Sequence, residues 1–241
     1  MKIEGRNQVA EALKNGLTIN KIFVDKNFAT RKDEVLSLAN KNHIRIEFLP
    51  KKLLDDMSAT NHHQGYIAEA VDFEYSSVED ILQVSKERGH DPFVVLLDGI
   101  EDPHNFGAII RTCECAGVDG IIIPSVRACQ VNETVVRTST GAIANMKIAR
   151  VTNLKEAIDT LKENGLWIYV CETGGEDIYK QNLTGPIGLV VGSEGFGVKQ
   201  SLRSYCDGIV TLPLKGSVNS LNASVANAIA VYEILRQREH K

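Results

Sequence analysis

Near-continuous apolar runs alternate with amphipathic stretches through the second part of the chain. Six apolar runs predict strands that are buried on both faces, as in a parallel sheet. They read FVVLL, GIIIP, KIARV, LWIYV, IGLVV and IVTLPL. The amphipathic stretches between them predict helices, at roughly 105–117, 131–144, 153–164, 198–206 and 220–239. This alternation predicts an α/β domain with a mostly parallel sheet.

A shorter alternation occupies the first part of the chain. The segment GRNQVAEALKNG predicts a helix with Val9, Ala12 and Leu13 on one face, ending at Gly16. Strands are predicted at KIFVD, HIRIEFL and HHQGYIAEAV, and further helices at RKDEVLSLANKN and KKLLDDMS. Two strand–helix alternations in so short a span predict a small, separate α/β domain.

A polar and charged stretch separates the two patterns. It reads DFEYSSVEDILQVSKERGHD and contains only a short helical pattern. We therefore expect a linker with one small helix between two domains. The predicted bounds are 1–71 for the small domain, 72–91 for the linker and 92–241 for the larger domain.

Composition limits the class of protein. No apolar run approaches the roughly 20 residues needed to cross a bilayer, and the charged N-terminus is unlike a secretory signal. The five cysteines are an odd number without paired spacing, which favours reduced thiols and a cytoplasmic location. Cys113 and Cys115 lie two apart but no His or Cys cluster accompanies them, so we expect no metal site.

The charge is unevenly distributed along the chain. A formal net charge of −4 argues against a protein that coats nucleic acid non-specifically. Residues 1–70 carry 11 basic and 9 acidic residues, whereas residues 71–241 carry 16 and 22. The small domain is therefore the better candidate for a polyanion-binding surface. Its candidate phosphate contacts are Arg6, Lys21, Lys26, Arg31, Lys32, Lys51 and Lys52.

The first segment with chemical potential follows the strand that ends at Asp98. Ligands bind beyond the carboxyl ends of strands in open α/β sheets, and this loop carries His104 and Asn105 into a helix. Arg111, six residues after Asn105, offers a planar fork for phosphate or carboxylate. Alternatively, Asn105 caps the helix, Arg111 forms a surface ion pair and His104 is simply solvated.

The second segment is a glycine-rich loop between a strand and a helix. Gly192, Gly195 and Gly197 give the spacing G-x-x-G-x-G, which is neither the dinucleotide fingerprint nor a Walker loop. A nucleoside or its ribose is therefore a better ligand than a triphosphate, and a nicotinamide dehydrogenase is disfavoured. Glu194 suits hydroxyl or amine contacts, although a tight turn with an exposed glutamate would explain it as well.

The third segment, Leu212 to Leu235, carries a helix whose first turns are unusually polar. Ser220, Asn222, Ser224 and Asn227 stand there among alanines. Such side chains are poor inside helices but can cap a helix start or hold a polar ligand. All three segments follow predicted strands, so they predict one shared site at the carboxyl edge of the sheet.

A simpler interpretation of the third segment remains. Leu221, Val225, Ile229 and Tyr232 recur at spacings of four, four and three residues, which is typical of a core-facing stripe. On that interpretation the segment is an ordinary final helix with a generous N-terminal cap.

Together the segments resemble the three motifs of the SpoU (TrmH-like) family of RNA ribose 2′-O-methyltransferases, in the SPOUT class. The matching residues are DPHNFGAIIRT, VVGSEGFGV and LPLKGSVNSLNASVANAIAVYE, in the order and spacing of the family. The start of the chain, EGRNQVAEAL, resembles the ribosomal-protein-like substrate-binding domain found in part of this family. The chain is most similar to the bacterial subgroup that methylates a guanosine ribose in large-subunit ribosomal RNA.

The resemblance implies a fold, a cofactor and a set of site residues. It implies a deep trefoil knot, a homodimer in which the last helix takes part, and S-adenosylmethionine as the cofactor. The implied cofactor contacts are Gly192, Leu212 and Leu221. The implied catalytic and substrate-side residues are Asn105, Arg111, Glu194, Ser220 and Asn222. A transfer-RNA ribose methyltransferase and a non-catalytic RNA-binding α/β protein remain alternatives.

Overall fold

The computed structural model describes residues 2–14, 17, 19–60, 62–70 and 73–240. Its strands are β1 Lys2–Glu4, β2 Ile19–Asp25, β3 Arg45–Leu49, β4 Tyr66–Ala70, β5 Phe93–Asp98, β6 Gly120–Pro124, β7 Lys147–Val151, β8 Trp167–Asp177, β9 Ile187–Gly192 and β10 Gly208–Thr211. Its α-helices are α1 Arg6–Lys14, α2 Glu34–Lys41, α3 Lys51–Met57, α4 Val78–Arg88, α5 Pro103–Cys115, α6 Glu133–Thr138, α7 Leu154–Glu163, α8 Gln200–Arg203 and α9 Ala223–Glu239.

The chain forms two compact units. The N-terminal unit comprises Met1–Glu74 and Val131–Ala144, and the C-terminal unit comprises Tyr75–Gln130 and Asn145–Lys241. The sequence analysis placed Val131–Ala144 in the larger domain, whereas the structure groups this segment with the N-terminal unit. The predicted helix end at Gly16 and the predicted boundary between residues 71 and 72 lie outside the described residues.

A four-stranded sheet organises the N-terminal unit. Its strand order is β1-β4-β2-β3, in which β2 and β3 are parallel and the other pairs are antiparallel. The predicted face of α1 is confirmed, because Val9, Ala12 and Leu13 are all buried. Helix α6 packs beside α1 and buries Val136. The sequence analysis did not predict β1, a strand of three residues.

Glu4, at the end of β1, joins that strand to the chain that follows α3. Its carboxylate accepts hydrogen bonds from the Ser58 hydroxyl at 2.6 Å, the Ala59 amide at 2.7 Å and the Thr60 hydroxyl. Burial alone would raise the pKa of Glu4, but these donors outweigh it and lower the pKa to about 2. The carboxylate therefore stabilises the unit in its ionised form.

A six-stranded parallel sheet organises the C-terminal unit, and this confirms the predicted α/β class. The strand order is β10-β8-β9-β5-β6-β7. All six predicted apolar runs form strands of this sheet. The side chains of β5 and β6 and most of those of β9 are buried because helices cover both faces, whereas β7, β8 and β10 are partly exposed. The trefoil knot that the resemblance implies stays a prediction.

Helix α4 lies inside the predicted linker and joins the core of the C-terminal unit. Val78, Ile81 and Leu82 are buried in the main apolar cluster. A Cβ atom on Gly120 of β6 would lie 2.5 Å from the Ile81 side chain, so glycine allows this close approach. A capping box at Ser77 and a left-handed Gly89 bound the helix.

Several predicted helix bounds were wrong for local reasons. The helix predicted at 131–144 ends at Thr138, because Thr140 and Gly141 adopt left-handed φ angles of 51° and 88°. Helix α5 begins at Pro103 because Asp102 caps it, so Asn105 is not the cap. The helix predicted at 153–164 is confirmed as α7: Asn153 caps its start, and Gly165, with a left-handed φ of 84°, follows its end.

The final helix, α9, is anchored at its C-terminal end by Arg238. This guanidinium donates to the backbone carbonyls of Asp91 at 3.0 Å, Pro92 at 3.0 Å and Gly185 at 2.6 Å. It also lies over the Phe93 ring, at 4.9 Å from the centroid. These contacts fix the helix to the amino-terminal end of the sheet, opposite the edge where the three polar segments lie.

Candidate active site

The first two polar segments begin side by side at the carboxyl edge of the parallel sheet. Asp98, the last residue of β5, pairs in register with Gly192, the last residue of β9. The Asp98 carboxylate accepts hydrogen bonds from the Lys199 backbone amide at 3.0 Å and from its ammonium group at 3.1 Å. The glycine-rich loop is therefore fixed to the neighbouring strand at both of its ends.

Three polar side chains from the three segments meet in one hydrogen-bonded cluster. The Asn105 amide donates to Glu194 Oε1 at 2.9 Å. The Asn222 amide donates to Asn105 Oδ1 at 3.0 Å and also to Glu194 Oε1. The backbone amide of Ala223 adds a fourth bond, to the same Glu194 oxygen at 3.3 Å. The structure thus brings together three of the predicted site residues, and we call them the Asn–Glu–Asn cluster.

Asn222 connects this cluster to the start of α9. Its Oδ1 accepts from the backbone amides of Ser224 at 3.0 Å and Val225 at 3.3 Å, so Asn222 is the N-cap. The helix predicted to begin near Ser220 therefore begins at Ala223. Because the Asn222 oxygen caps the helix, its side chain is fixed with the NH2 group directed at Asn105 and Glu194.

The glycine-rich loop closes tightly on itself. Ser193 and Gly197 exchange two backbone hydrogen bonds, of 3.2 and 3.0 Å. A Cβ atom on Gly192 would lie 2.2 Å from the Gly197 carbonyl carbon, so only glycine fits at this position. This closure presents Glu194, Gly195 and Phe196 at the tip of the loop.

One side of this loop borders a cavity of about 310 Å³, which we call the first cavity. Its lining includes all three predicted cofactor contacts, Gly192, Leu212 and Leu221. It also includes Ser220, which is one of the predicted catalytic and substrate-side residues. The charged side chains in its lining are the carboxylates of Glu172 and Glu194. Burial raises the pKa of the Cys171 thiol, which also lines the cavity, to about 11, so it stays neutral.

The other side of the loop borders a second cavity, of about 410 Å³. Its lining includes Asp98, Asn105, Glu194 and Phe196 from the predicted segments, and also Arg127. The Asn–Glu–Asn cluster thus lies where the two cavities adjoin. A ligand in the first cavity and a ligand in the second would meet beside Glu194.

Arg111 lies elsewhere on α5. Its side chain is exposed, six residues beyond Asn105, and the linings of the two cavities do not include it. Its predicted role stays a prediction.

Sequence reasoning missed Glu172, Arg127 and Phe196. Glu172 follows the buried run of β8 and contacts Arg203, with 3.2 Å between carboxylate and guanidinium. A charged residue close to the end of an apolar run was the available signal, as it was for Asp98. Phe196 could have been noticed as a large apolar residue between two glycines, while Arg127 had no distinctive pattern around it.

The stripe predicted to face the core lies largely on the surface, so that interpretation was wrong within this chain. Val225 and Tyr232 are 45% and 49% exposed. The buried face of α9 is formed instead by Ala223, Asn227, Ala230, Val231, Glu233 and Ile234. Small residues let α9 approach α5 closely, whereas the bulkier stripe points away. The helix is apolar on both sides, so periodicity could not identify the inner one.

Several cations of the N-terminal unit already have partners within that unit. Lys21 lies 3.0 Å from the Glu47 carboxylate, and Arg6 lies 3.7 Å from that of Asp33. The Arg31 guanidinium stacks over the Phe28 ring at 3.8 Å. Their charges are partly compensated before any polyanion binds, which fits the weak basic excess of the sequence.

A metal site and a membrane-spanning helix are both absent from the described residues. Within them, no group of three or more His, Cys, Asp or Glu side chains is arranged to hold a metal ion. No helix among these residues combines the length and apolar character needed to cross a membrane.

Comparison with known proteins gives these features a context. Residues 92–232 match the profile of the SpoU rRNA Methylase family, and residues 2–76 match that of RNA 2′-O ribose methyltransferase substrate binding. A protein of Staphylococcus saprophyticus, assigned to the TrmH family of tRNA/rRNA methyltransferases, is 41% identical over 99% of this chain and 96% of its own length. The YacO protein of Bacillus subtilis, assigned to the same family, is 39% identical over 97% and 94%.

Solved structures agree with the sequence comparison. The SpoU methyltransferase AviRb from Streptomyces viridochromogenes, crystallised with its cofactor AdoMet (S-adenosylmethionine), has a TM-score of 0.81 and 25% identity. The match covers 99% of this chain and 90% of AviRb. Both units are therefore accounted for by one known architecture. The chain belongs to the SpoU (TrmH) family of RNA 2′-O-ribose methyltransferases.

Proposed function

We propose that this protein transfers a methyl group from S-adenosylmethionine to the ribose 2′-hydroxyl of a guanosine in large-subunit ribosomal RNA. The observation that carries the proposal is the Asn–Glu–Asn cluster, at the meeting point of two cavities large enough for a nucleoside each. Family membership supports the reaction class, and AviRb supports the identity of the cofactor.

The first cavity fits S-adenosylmethionine. Its apolar side chains, including Leu212, Leu214 and Leu221, would contact the adenosine, and backbone groups of the loops would meet its polar atoms. The Glu194 carboxylate, whose hydrogen-bond donors are neutral amides, favours a cation, whereas the charge of Glu172 is balanced by Arg203. The cofactor carries a positive sulfonium and an ammonium group. The product that remains after transfer lacks the sulfonium charge, so Glu194 would hold it less strongly.

The bound cofactor would supply an electrophilic methyl carbon, and the protein must align the ribose oxygen with it. In our proposal the amides of Asn105 and Asn222, held by Glu194, fix the wall against which the ribose lies. Ser220 orients the hydroxyl from the first cavity. The hydroxyl proton passes to a substrate phosphate or to solvent, and Arg111, with that phosphate, stabilises the negative charge that develops on the oxygen.

The choice of ribosomal over transfer RNA rests on the N-terminal unit and on the resemblance of the motifs. The profile that matches residues 2–76 describes substrate binding by RNA 2′-O ribose methyltransferases. Transfer RNA is the second candidate, because the relatives are assigned as tRNA/rRNA methyltransferases. We place the reaction in the cytoplasm, as a step of ribosomal RNA processing.

We further propose that the protein acts as a homodimer. The apolar stripe of α9, with exposed Val225 and Tyr232 and half-buried Ile229, is a surface that a second copy would bury. Sedimentation should give twice the chain mass of 26.5 kDa, and glutamates at Val225 and Tyr232 should give monomers. A wild-type monomer at micromolar concentration would contradict this assembly.

The reaction is tested with the full chain, labelled S-adenosylmethionine and unmodified large-subunit ribosomal RNA or transfer RNA. A 2′-O-methyl group prevents alkaline cleavage of the next phosphodiester, so the label should appear in an alkali-resistant dinucleotide. The mass of that dinucleotide identifies the base. Label in ordinary mononucleotides would mean base methylation, and absence of cofactor binding in calorimetry would favour a non-catalytic RNA-binding protein.

The role of Arg111 is tested by Arg111→Ala, with Arg150→Ala as a control at an exposed arginine of β7. Loss of one group that stabilises an oxyanion lowers kcat by a factor of about 10²–10³. We expect a fall of that order for Arg111→Ala, while cofactor affinity stays within about twofold, because Arg111 does not line the first cavity. Turnover near that of the wild type would show that Arg111 has no part in the chemistry.

A further inference from the structure

Phe196 occupies an unusual position for a large apolar side chain. It is 95% exposed, whereas the next most exposed large apolar residue in the described part of the chain, Val218, is 70% exposed. Single exposed apolar residues are common and need no explanation by themselves. Phe196, however, lines both the first and the second cavity.

The loop around Phe196 holds this side chain outward. Gly195 and Gly197 flank it with φ angles of 83° and 65°, which L side chains rarely adopt. The paired hydrogen bonds between Ser193 and Gly197 close the loop beneath it. The loop therefore presents the ring at its tip, where it borders the second cavity.

The charges around the second cavity show what could enter it. Four carboxylates line it, and three of them already have donors: Asp98 binds Lys199, Asp102 caps α5 and Glu194 belongs to the Asn–Glu–Asn cluster. The fourth, Glu101, is exposed to solvent, which screens its charge. Arg127 also lines the cavity; its side chain is exposed and its backbone has a left-handed φ of 55°. An exposed aromatic face and a guanidinium at one cavity are the groups that bind a base and a phosphate.

We infer that the second cavity receives the target nucleotide, with its base stacked on Phe196 and its phosphate bound by Arg127. This inference rests on the proposed function, which it refines by naming a residue that positions the substrate. Stacking tolerates any base, so Phe196 would set the position of the nucleotide, and its identity would be read elsewhere. A base held on Phe196 places its ribose beside Glu194, at the junction with the first cavity.

The test compares Phe196→Ala and Phe196→Trp with Tyr179→Ala, a control at an exposed aromatic residue of the same unit. Loss of one base stack weakens single-stranded RNA binding by between about 5- and 150-fold. We expect Phe196→Ala to raise the KM for RNA within that range while the Kd for S-adenosylmethionine stays unchanged. Phe196→Trp should restore the KM and show indole fluorescence quenched by RNA above the background of Trp167.

The contribution of Arg127 has a separate signature. Arg127→Ala should weaken RNA binding and lower the slope of log affinity against log salt by about one, as expected for one phosphate contact. Arg127→Lys should keep the slope. An unchanged slope in Arg127→Ala would overturn the phosphate assignment.

Other outcomes would overturn the stacking assignment. An unchanged KM in Phe196→Ala would refute it directly. A weakened Kd for S-adenosylmethionine would make Phe196 a cover for the first cavity, and a changed sedimentation coefficient would make it a subunit contact. If the wild type binds RNA but transfers no methyl group, the proposed function fails, and weaker RNA binding by Phe196→Ala would still support the stack. If the wild type binds no RNA, both fail.

Discussion

Asn222 has two separable tasks, and replacing it by aspartate separates them. Its Oδ1 caps α9 and its NH2 group donates to Asn105 and Glu194. Asn222→Asp keeps a capping oxygen, because Asp and Asn are equally good N-caps. The substitution removes both donated hydrogen bonds and places a second carboxylate against Glu194.

The expected loss of stability follows from these contacts. Two lost hydrogen bonds cost about 0.5–1.5 kcal/mol each. Two charges 4 Å apart repel by about 1 kcal/mol in water and about 4 kcal/mol near a protein surface. Since Glu194 is exposed, we take the lower value, about 1 kcal/mol, for the repulsion. With about 1 kcal/mol for each lost hydrogen bond, we expect a total of about 3 kcal/mol. For a unit of this size that lowers the Tm by roughly 6–12 °C.

The assay is thermal unfolding from pH 4 to pH 8, compared with the wild type at each pH. The deficit of Asn222→Asp should shrink as the pH falls, because protonation of either carboxyl removes the repulsion. Glu194→Gln combined with Asn222→Asp should recover to within about 1 kcal/mol of the wild type, since an amide again faces a carboxylate. Asn219→Asp makes the same chemical change in the neighbouring loop and should show neither effect. A deficit that is independent of pH, or a double variant no more stable than Asn222→Asp, would refute the Asn–Glu–Asn cluster as described.

Three further predictions concern other parts of the chain. Cys115 is exposed and should react with a thiol reagent first, whereas Cys113, whose pKa burial raises to about 12, should react only on unfolding, as peptide mass mapping would show. Glu4→Gln should destabilise the protein by about 1–3 kcal/mol at pH 7. Because the pKa of Glu4 falls from 4.5 to about 2 on folding, its contribution is full above pH 4.5, and the gap between wild type and variant in urea unfolding should close as the pH falls toward 2. Arg238→Ala removes three hydrogen bonds to backbone carbonyls and should lower the free energy of unfolding by about 2–4 kcal/mol. Arg238→Lys should not restore this stability, because lysine lacks the planar guanidinium. Equal stability of the wild type and the alanine variant would contradict the anchoring of α9.

The parallel sheet could be predicted because its central strands, β5, β6 and β9, are buried on both faces and so are almost entirely apolar. The polar residues that end these strands, such as Asp98, also stood out against that background. The meeting of Asn105, Glu194 and Asn222 was expected from the rule that ligand loops share one sheet edge. Their individual hydrogen bonds depend on side-chain geometry that spacing does not contain.

Other features lay beyond the sequence for identifiable reasons. Strand β1 has only three residues, too few to show alternation. Helix α9 is apolar on two sides, so periodicity selected the stripe with Val225 and Tyr232 instead of the buried alanines. The place of Phe196 between two cavities depends on the closure of the loop from Ser193 to Gly197, a contact between backbone groups that no side-chain pattern records.

The interrupted N-terminal unit has a consequence for how the protein is made. Its first part ends at Glu74, but Val135 and Val136, both buried, come from a segment that ends at Ala144. At about 5–20 residues per second, a ribosome needs several seconds to add the intervening stretch. Until then the nascent unit lacks the buried side chains that this segment adds, although its main apolar cluster, formed between Ile3 and Ala70, is already synthesised. A fragment that stops at Glu74 would contain that cluster but would leave uncovered the surface of α1 beside which Val136 packs.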